Sequence, residues 1–331
     1  MRVGVLGAGS WGTTLADLLA RKGYDVRIWA YEPEVVAAIN QTHRNPVFLP
    51  GAALAPSLAA RSDAREVVTG AEVVVSAAPS HAVRDVVGRV AGCVAAGTLV
   101  VSATKGLEVD SLARMTTVVE QRLPDARVAA LSGPSFAQEV FEGRPTAVVA
   151  AAADAATALD AQQVFATPAF RVYSHDDVIG VELGGALKNV IAIAAGILEG
   201  LELGDNARAA LLTRGLAEIT RLGAALGADP LTFAGLAGMG DLILTACGRL
   251  SRNRALGVAL ARGETFEAYR ATHKTVAEGA NASRAAAALG ARLGVELPIT
   301  AQVCDVLFQG KPVRDGVTEL MARELKPEQW R

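Results

Sequence analysis

Met1-Arg2-Val3-Gly4-Val5-Leu6-Gly7-Ala8-Gly9-Ser10-Trp11-Gly12 opens the chain: a short apolar run that ends in a glycine-rich turn. The position of the turn carries more information than the glycine spacing. Gly7 permits a tight turn, Gly9 lets a pyrophosphate approach the backbone, and Gly12 lets the following helix pack on the strand. The helical pattern over Thr13–Lys22 then directs free N–H groups and the positive end of its dipole at that turn. A second apolar run, Asp25–Trp29, completes a strand–turn–helix–strand unit of the kind that holds a dinucleotide.

Outward from this unit, apolar, β-branched runs alternate with helical patterns. The expected strands are Val3–Leu6, Val26–Trp29, Val73–Ser76, Leu99–Ser102, Val128–Leu131, Ala147–Ala150 and Phe170–Tyr173. Such alternation predicts a doubly wound, mostly parallel α/β sheet of Rossmann type. The alanine-rich 147–161 stretch reads as a packed strand and helix, because Val148, Val149 and Leu159 interrupt it. After Tyr173 the strand signal stops. Ser174-His175-Asp176-Asp177 reads as a capping box opening a long helix, and further helix starts are expected at Asp205, Ser251 and Thr275, with stops at Gly227/Pro230 and Gly263. The expected division is a dinucleotide-binding domain over 1–174 and an all-helical substrate-binding domain over 175–331.

Bulk properties narrow the function. The 331 residues are 51% hydrophobic and 20% charged, with a net charge of −2, which gives no global attraction for nucleic acid or anionic membrane. The three scattered cysteines and four dispersed histidines form no disulfide framework and no metal-ligand spacing. The N-terminal apolar run leads straight into the glycine turn and does not read as a signal peptide. No uninterrupted apolar run reaches the roughly 18 residues of a membrane span, so a cytoplasmic protein is expected.

Ligands of open α/β sheets bind beyond the carboxyl ends of the strands. Four unusual turns fall there: Gly7–Gly12, Ala78-Pro79-Ser80, Thr104-Lys105-Gly106 and Ser132-Gly133-Pro134-Ser135-Phe136. In the helical half, Lys188 stands in a 178–193 segment that is apolar on nearly every face, where an ammonium either reaches solvent from a helix edge or lines a cleft with Asn189. Asp241, at the exit of Gly238-Met239-Gly240, reads by itself as an ordinary helix N-cap, and Thr245 would share its face. Ser251-Arg252-Asn253-Arg254 offers a capped helix start with basic groups, either an anion site or a solvated turn. Cys247 reads as a small buried hydrophobe, and no histidine is given a catalytic part.

Together these segments, with Asn45-Pro46-Val47-Phe48-Leu49-Pro50, Ala137, Glu182-Leu183-Gly184-Gly185-Ala186-Leu187-Lys188-Asn189 and Gly240-Asp241-Leu242-Ile243-Leu244-Thr245, resemble the NAD(P)-dependent sn-glycerol-3-phosphate dehydrogenases over essentially the whole chain. The resemblance implies reduction of dihydroxyacetone phosphate by NAD(P)H, with glycerol 3-phosphate supplied to phospholipid synthesis. It implies cofactor contacts at Gly7, Gly9, Ser10, Trp11, Gly12, Tyr31, Pro79, Lys105, Ala137, Arg252, Val276 and Glu278. Substrate contacts follow at Lys105, Gly133, Ser135, Lys188, Asp241, Ser251, Arg252 and Asn253. Lys188 would transfer the proton, and Lys105, Asp241, Thr245 and Asn189 would complete the catalytic group. Ala30 stands where NAD-selective sites carry an acid, while Tyr31 and Glu32 stand where a 2′-phosphate would need a cation, so use of both cofactors is expected. A small phosphorylated triose is the expected partner, and a homodimer the expected assembly. Two other readings remain: a relative of the 6-phosphogluconate or ketopantoate enzymes, and a non-enzymatic NAD(P)H sensor.

Overall fold

The computed structural model describes residues 1–273 and 277–328. Its centre is one eight-stranded sheet: β1 (Arg2–Leu6), β2 (Asp25–Trp29), β3 (Ala59–Arg61), β4 (Val73–Ser76), β5 (Leu99–Ser102), β6 (Arg127–Ser132), β7 (Thr146–Ala151) and β8 (Phe170–His175). The order across the sheet is β3-β2-β1-β4-β5-β6-β7-β8. All neighbours are parallel except β6 and β7. The chain reverses direction of winding between β1 and β4, which opens the crevice where such sheets take ligands.

The strands form because their side chains are buried on both faces. β4 (Val-Val-Val-Ser) and β5 (Leu-Val-Val-Ser) are buried at every position, as expected of parallel strands covered by helices. β3 carries no apolar run and was not expected; it is a three-residue edge strand held by β2.

Several boundaries differ from expectation for local reasons. The first helix runs Ser10–Arg21, so Ser10 and Trp11 already belong to its first turn. β8 continues through His175, and the cap of the next helix is Asp177 alone, whose carboxylate accepts from the Gly180 N–H at 2.8 Å. Ser174 therefore belongs to the sheet, not to a capping box. Asp205 does not cap its helix, which starts at Gly204; it sits in the first turn and pairs with Arg208. Ser251 does cap the Arg252–Ala261 helix. Gly227 and Gly263 follow helix ends with φ of 92° each, a conformation that ends a helix cheaply only with glycine. Thr275 lies outside the described residues.

From Val178 onward the described residues are helical. The Val178–Gly200 helix is the spine of this half: every residue from Gly180 to Ile197 is buried. Glu182, Lys188 and Asn189 interrupt its apolar run; by length and overall composition it could still cross a membrane, but 83% of its apolar window is buried by the surrounding protein. It is a core helix. Val181 packs with Ala130, Val149 and Ala151 of β6 and β7, joining the helical core to the sheet. A Cβ at Gly185 would overlap the Ser132 hydroxyl, so glycine there lets this helix rest against the end of β6, which brings Lys188 onto the ligand-binding rim.

Candidate active site

The glycine turn has the geometry that its sequence requires. Gly7 has a φ of 119°, and a Cβ there would press on the Ala77–Ala78 peptide at 2.8 Å; a Cβ at Gly12 would overlap the Gly7 carbonyl. Around Gly9 a Cβ would meet nothing within 4 Å, which leaves open space at the N-terminus of the first helix. That gap fits a pyrophosphate lying on free backbone N–H groups. Asn45, fully buried, buttresses the turn: its Nδ2 donates to the Ala8 carbonyl at 2.8 Å and to Thr13 Oγ1 at 2.9 Å. Ser10 Oγ donates to the Phe48 carbonyl. The Trp11 indole N–H is buried and has no partner among the described residues.

The remaining turns close around the same rim. Thr104 Oγ1 donates to the Ala78 carbonyl at 2.7 Å, and Thr14 Oγ1 to the Ala137 carbonyl at 3.2 Å. Next to Pro79, Ser80 donates through its N–H (3.1 Å) and its hydroxyl (2.6 Å) to the carboxylate of Glu278, which starts the Glu278–Leu293 helix. Glu278 thus spans sheet and helical half. Tyr31 is 75% exposed at the outer edge, and Val276 lies outside the described residues.

The chemical centre is three side chains from three distant segments. Asp241, with 0% exposure, offers one carboxylate oxygen to each of two lysines: Oδ1 accepts from Lys188 Nζ at 2.5 Å and Oδ2 from Lys105 Nζ at 2.7 Å. Asp241 opens the Asp241–Cys247 helix, yet neither oxygen serves as a cap. Lys188 Nζ also donates to Thr245 Oγ1 at 2.6 Å, and Lys105 Nζ to the Gly133 carbonyl at 2.7 Å and Ser135 Oγ at 3.3 Å. Lys188 does not reach solvent from a helix edge; it is 6% exposed. Burial pulls its pKa from 10.5 down to about 7; the Asp241 charge opposes the shift and the Lys105 charge adds to it. With both amines protonated, two cations share one carboxylate in a low-dielectric site. Loss of the Lys188 proton balances the charge.

Asn189 lies beside Lys188 in sequence but joins a different chain of bonds. Its Nδ2 donates to the Gly185 carbonyl at 3.3 Å, and its Oδ1 accepts from Asn253 Nδ2 at 2.9 Å. Asn253 Oδ1 in turn accepts from the Gly279 N–H at 2.9 Å. Asn189 makes no hydrogen bond to Lys188, Lys105 or Asp241 among the described residues. Because Gly279 can only donate, the Asn253 amide is held in one orientation, and Asn189 takes one of its two N–H groups. Ser251 Oγ is taken up by the helix cap, accepting from the Arg254 N–H at 3.2 Å. Arg252 is exposed beside Glu278 and forms no ion pair among the described residues, while Arg254 pairs with Glu199. Cys247 is exposed rather than buried, since the helix turns Asp241, Leu242, Thr245 and Ala246 inward.

With this geometry, comparison with known proteins is decisive. Residues 2–158 match the NAD-dependent glycerol-3-phosphate dehydrogenase N-terminus family, and residues 177–318 match the corresponding C-terminus family. The chain belongs to the NAD-dependent glycerol-3-phosphate dehydrogenase family. Among relatives, the glycerol-3-phosphate dehydrogenase, NAD(P)+, of Geobacter sulfurreducens is 53% identical over 332 residues, 99% of each chain. That of Anaeromyxobacter dehalogenans is 52% identical over 331 residues, covering 99% of this chain and all of the relative. The crystal structure of glycerol-3-phosphate dehydrogenase from Coxiella burnetii superposes with a TM-score of 0.93 at 40% identity, over 97% of this chain and 99% of the other.

Sequence reasoning left some buried polar residues around the rim without a role. Asn45, Ser80 and Glu182 lie within or beside quoted motifs, but each has partners far along the chain: Thr13 for Asn45, Glu278 for Ser80 and Thr116 for Glu182. For Glu182 the available signal was an acid in an otherwise apolar, buried helix; Asn45 stands in a polar, largely exposed stretch that gives no such signal.

Proposed function

We propose that this chain interconverts dihydroxyacetone phosphate and sn-glycerol 3-phosphate with either NADH or NADPH. The observation that carries the reading is the buried Lys188–Asp241–Lys105 centre, set beside an open glycine turn on one rim. A bound reduced nicotinamide supplies the hydride to the ketone carbon. Gly7, Gly9, Ser10, Trp11 and Gly12 hold its pyrophosphate side, with Pro79, Lys105, Ala137, Arg252 and Glu278 along the crevice, and Tyr31 at the adenosine end.

In this reading the Lys188 ammonium faces the ketone oxygen. It stabilises negative charge as the carbon is reduced and gives that oxygen its proton; in the reverse direction the neutral amine takes the proton back. Lys105 adds a second positive charge, Asp241 and Thr245 hold Lys188 in place, and Gly133 and Ser135 shape the pocket beside Lys105. Arg252, with Ser251, Asn253 and the helix start behind them, grips the phosphate, a non-reacting group whose binding positions the carbonyl. Asn189 serves by orienting Asn253.

The same proposal assigns 1–174 to cofactor and 175–331 to substrate, and places the protein in the cytoplasm, free of nucleic acid and of stable membrane insertion, supplying glycerol 3-phosphate for phospholipid synthesis. Exposed Leu231, Met239, Ile243 and Leu250 on the helical half support a homodimer. The absence of an acid at Ala30, combined with Tyr31 and Glu32, supports use of both cofactors.

The test is a purified-protein assay following reduced-nicotinamide absorbance with dihydroxyacetone phosphate, and with dihydroxyacetone as the unphosphorylated control. Turnover is expected only with the phosphate ester, with kcat/KM for NADPH and NADH within about tenfold of each other, a difference of roughly 1.4 kcal/mol. No turnover, or equal turnover of the control, overturns the reading; a ratio far outside that range overturns the dual use.

A further inference from the structure

Glu182 is a buried carboxylate that the chemistry above does not use. It lies on the lysine helix, six residues before Lys188, and is 7% exposed. A carboxylate in such a place is tolerated only when charge and hydrogen bonds replace its water. Here both oxygens are occupied. Oε1 accepts from the Thr116 backbone N–H at 2.9 Å; Oε2 accepts from Arg114 Nη1 at 2.6 Å and from Thr116 Oγ1 at 2.5 Å.

All three donors come from the segment that leaves β5 after Ser102 and passes through Lys105. After Lys105-Gly106 the chain turns outward and returns, and Leu107 bridges to Arg114 across the base of this loop. The Glu108 N–H donates to the Ala113 carbonyl, and a helix starts at Met115. Lys105 therefore stands at one end of the loop base, and the groups gripped by Glu182 stand at the other. Asp241 joins Lys105 to Lys188 at their tips. Glu182 joins the supports of the same two side chains from behind.

We propose that Glu182 is a positioning residue that fixes the Lys105 loop against the lysine helix, and so holds two mutually repelling ammonium groups on opposite oxygens of Asp241. This rests on the reading of Lys188 as the proton-transferring group. The charged groups facing Glu182 are Arg114 and, less directly, Glu120. Those facing Lys188 are Asp241, with Thr245 on its helix, and Lys105 from the loop. When the strut is cut, Lys105 is free to draw back. Lys188 then loses a neighbouring positive charge, keeps its carboxylate and gains water, and each change favours its protonated form.

Glu182→Gln preserves shape but sets an amide N–H against donors that the carboxylate accepted. The readout is kcat against pH for oxidation of glycerol 3-phosphate, the direction that needs neutral Lys188. Against a parent midpoint expected near the lowered Lys188 value of about 7, the variant is expected to titrate about one unit higher. Its kcat at pH 7 should be about fivefold lower, and the gap should close at high pH. Arg114→Ala removes the cation of the strut and leaves only the two Thr116 bonds, so it should shift the midpoint the same way by a smaller amount, which keeps the test available if Glu182→Gln fails to fold. A uniform loss of rate at every pH with an unmoved midpoint, or unchanged kinetics, overturns the proposal. A parent protein that turns over with no ionisation near 7, or with one that survives Lys188→Ala, overturns the Lys188 reading beneath it.

Discussion

The glycine turn and the lysine centre share one rim of the sheet but are built in opposite ways. The turn is six consecutive residues whose work is done by backbone: N–H groups, a helix end and open space over Gly9. The centre is made of side chains 53 and 136 residues apart, converging on one carboxylate buried from solvent. Backbone N–H groups carry no proton equilibrium in the accessible pH range, so the turn binds in the same way at any pH. The centre holds its charges in a low-dielectric site, so its state depends on who its neighbours are. Changes to the centre should therefore strike the chemical step and its pH dependence, whereas changes to the turn should strike cofactor binding alone.

The largest expected effect is at the centre. Lys188→Ala removes the group proposed as proton donor and one of the two amines on Asp241, and kcat should fall by about 10² to 10⁴. Titration with NADH should give an unchanged dissociation constant, because the turn is untouched. A variant with near-parent kcat would place the proton transfer on another group; loss of NADH binding would mean that turn and centre are not separable.

The complementary change at the turn is Gly9→Ala. Gly9 has φ −64° and ψ 176°, a conformation open to any residue, and its added methyl meets no protein atom within 4 Å. Thermal stability should be kept or slightly raised, since the unfolded chain loses freedom. The methyl enters the space assigned to the pyrophosphate, so KM for both cofactors should rise by about 10- to 100-fold, roughly 1.4 to 2.7 kcal/mol of binding. An unchanged cofactor KM would move the pyrophosphate away from this turn.

The contrast also explains how much was legible in the sequence. Gly7–Gly12 could be read because its meaning is local: a strand before it, a helix after it and three positions where a side chain has no room or no business. The strands of the sheet were legible for a related reason, since burial on both faces leaves continuous apolar runs such as Val73–Ser76. β3 was not, because three residues on an edge need only a partner's backbone. Lys188 stood out as a charge in an apolar helix, but its partner did not. Asp241 after a glycine turn looks like a helix cap in sequence, and only the fold brings Lys105 and Lys188 to its two oxygens. Asn189 was misleading in the other direction: adjacency to Lys188 implied a shared role, although successive helix positions point about 100° apart, and its bonds lead to Asn253 and Gly279. Glu182 offered a buried acid and nothing to say which cation it held.

The smallest effect sharpens the comparison most. Burial, reinforced by Lys105 and opposed by Asp241, brings Lys188 to about 7. Reduction of the ketone needs the ammonium, so kcat in that direction should fall as pH rises through about 7. Oxidation of the alcohol needs the free amine, so its kcat should rise through the same value. At the midpoint each limb stands at about half its plateau, and one unit beyond it the reductive limb should have dropped about tenfold. Lysine in water would hold its proton to about 10.4, which would leave reduction flat across this range. Mirror-image limbs crossing near 7, and unmoved by Gly9→Ala, would tie the ionisation to the centre and separate it from the turn. A midpoint close to the ordinary lysine value would overturn the reading of a buried Lys188 that takes and gives the proton near neutral pH.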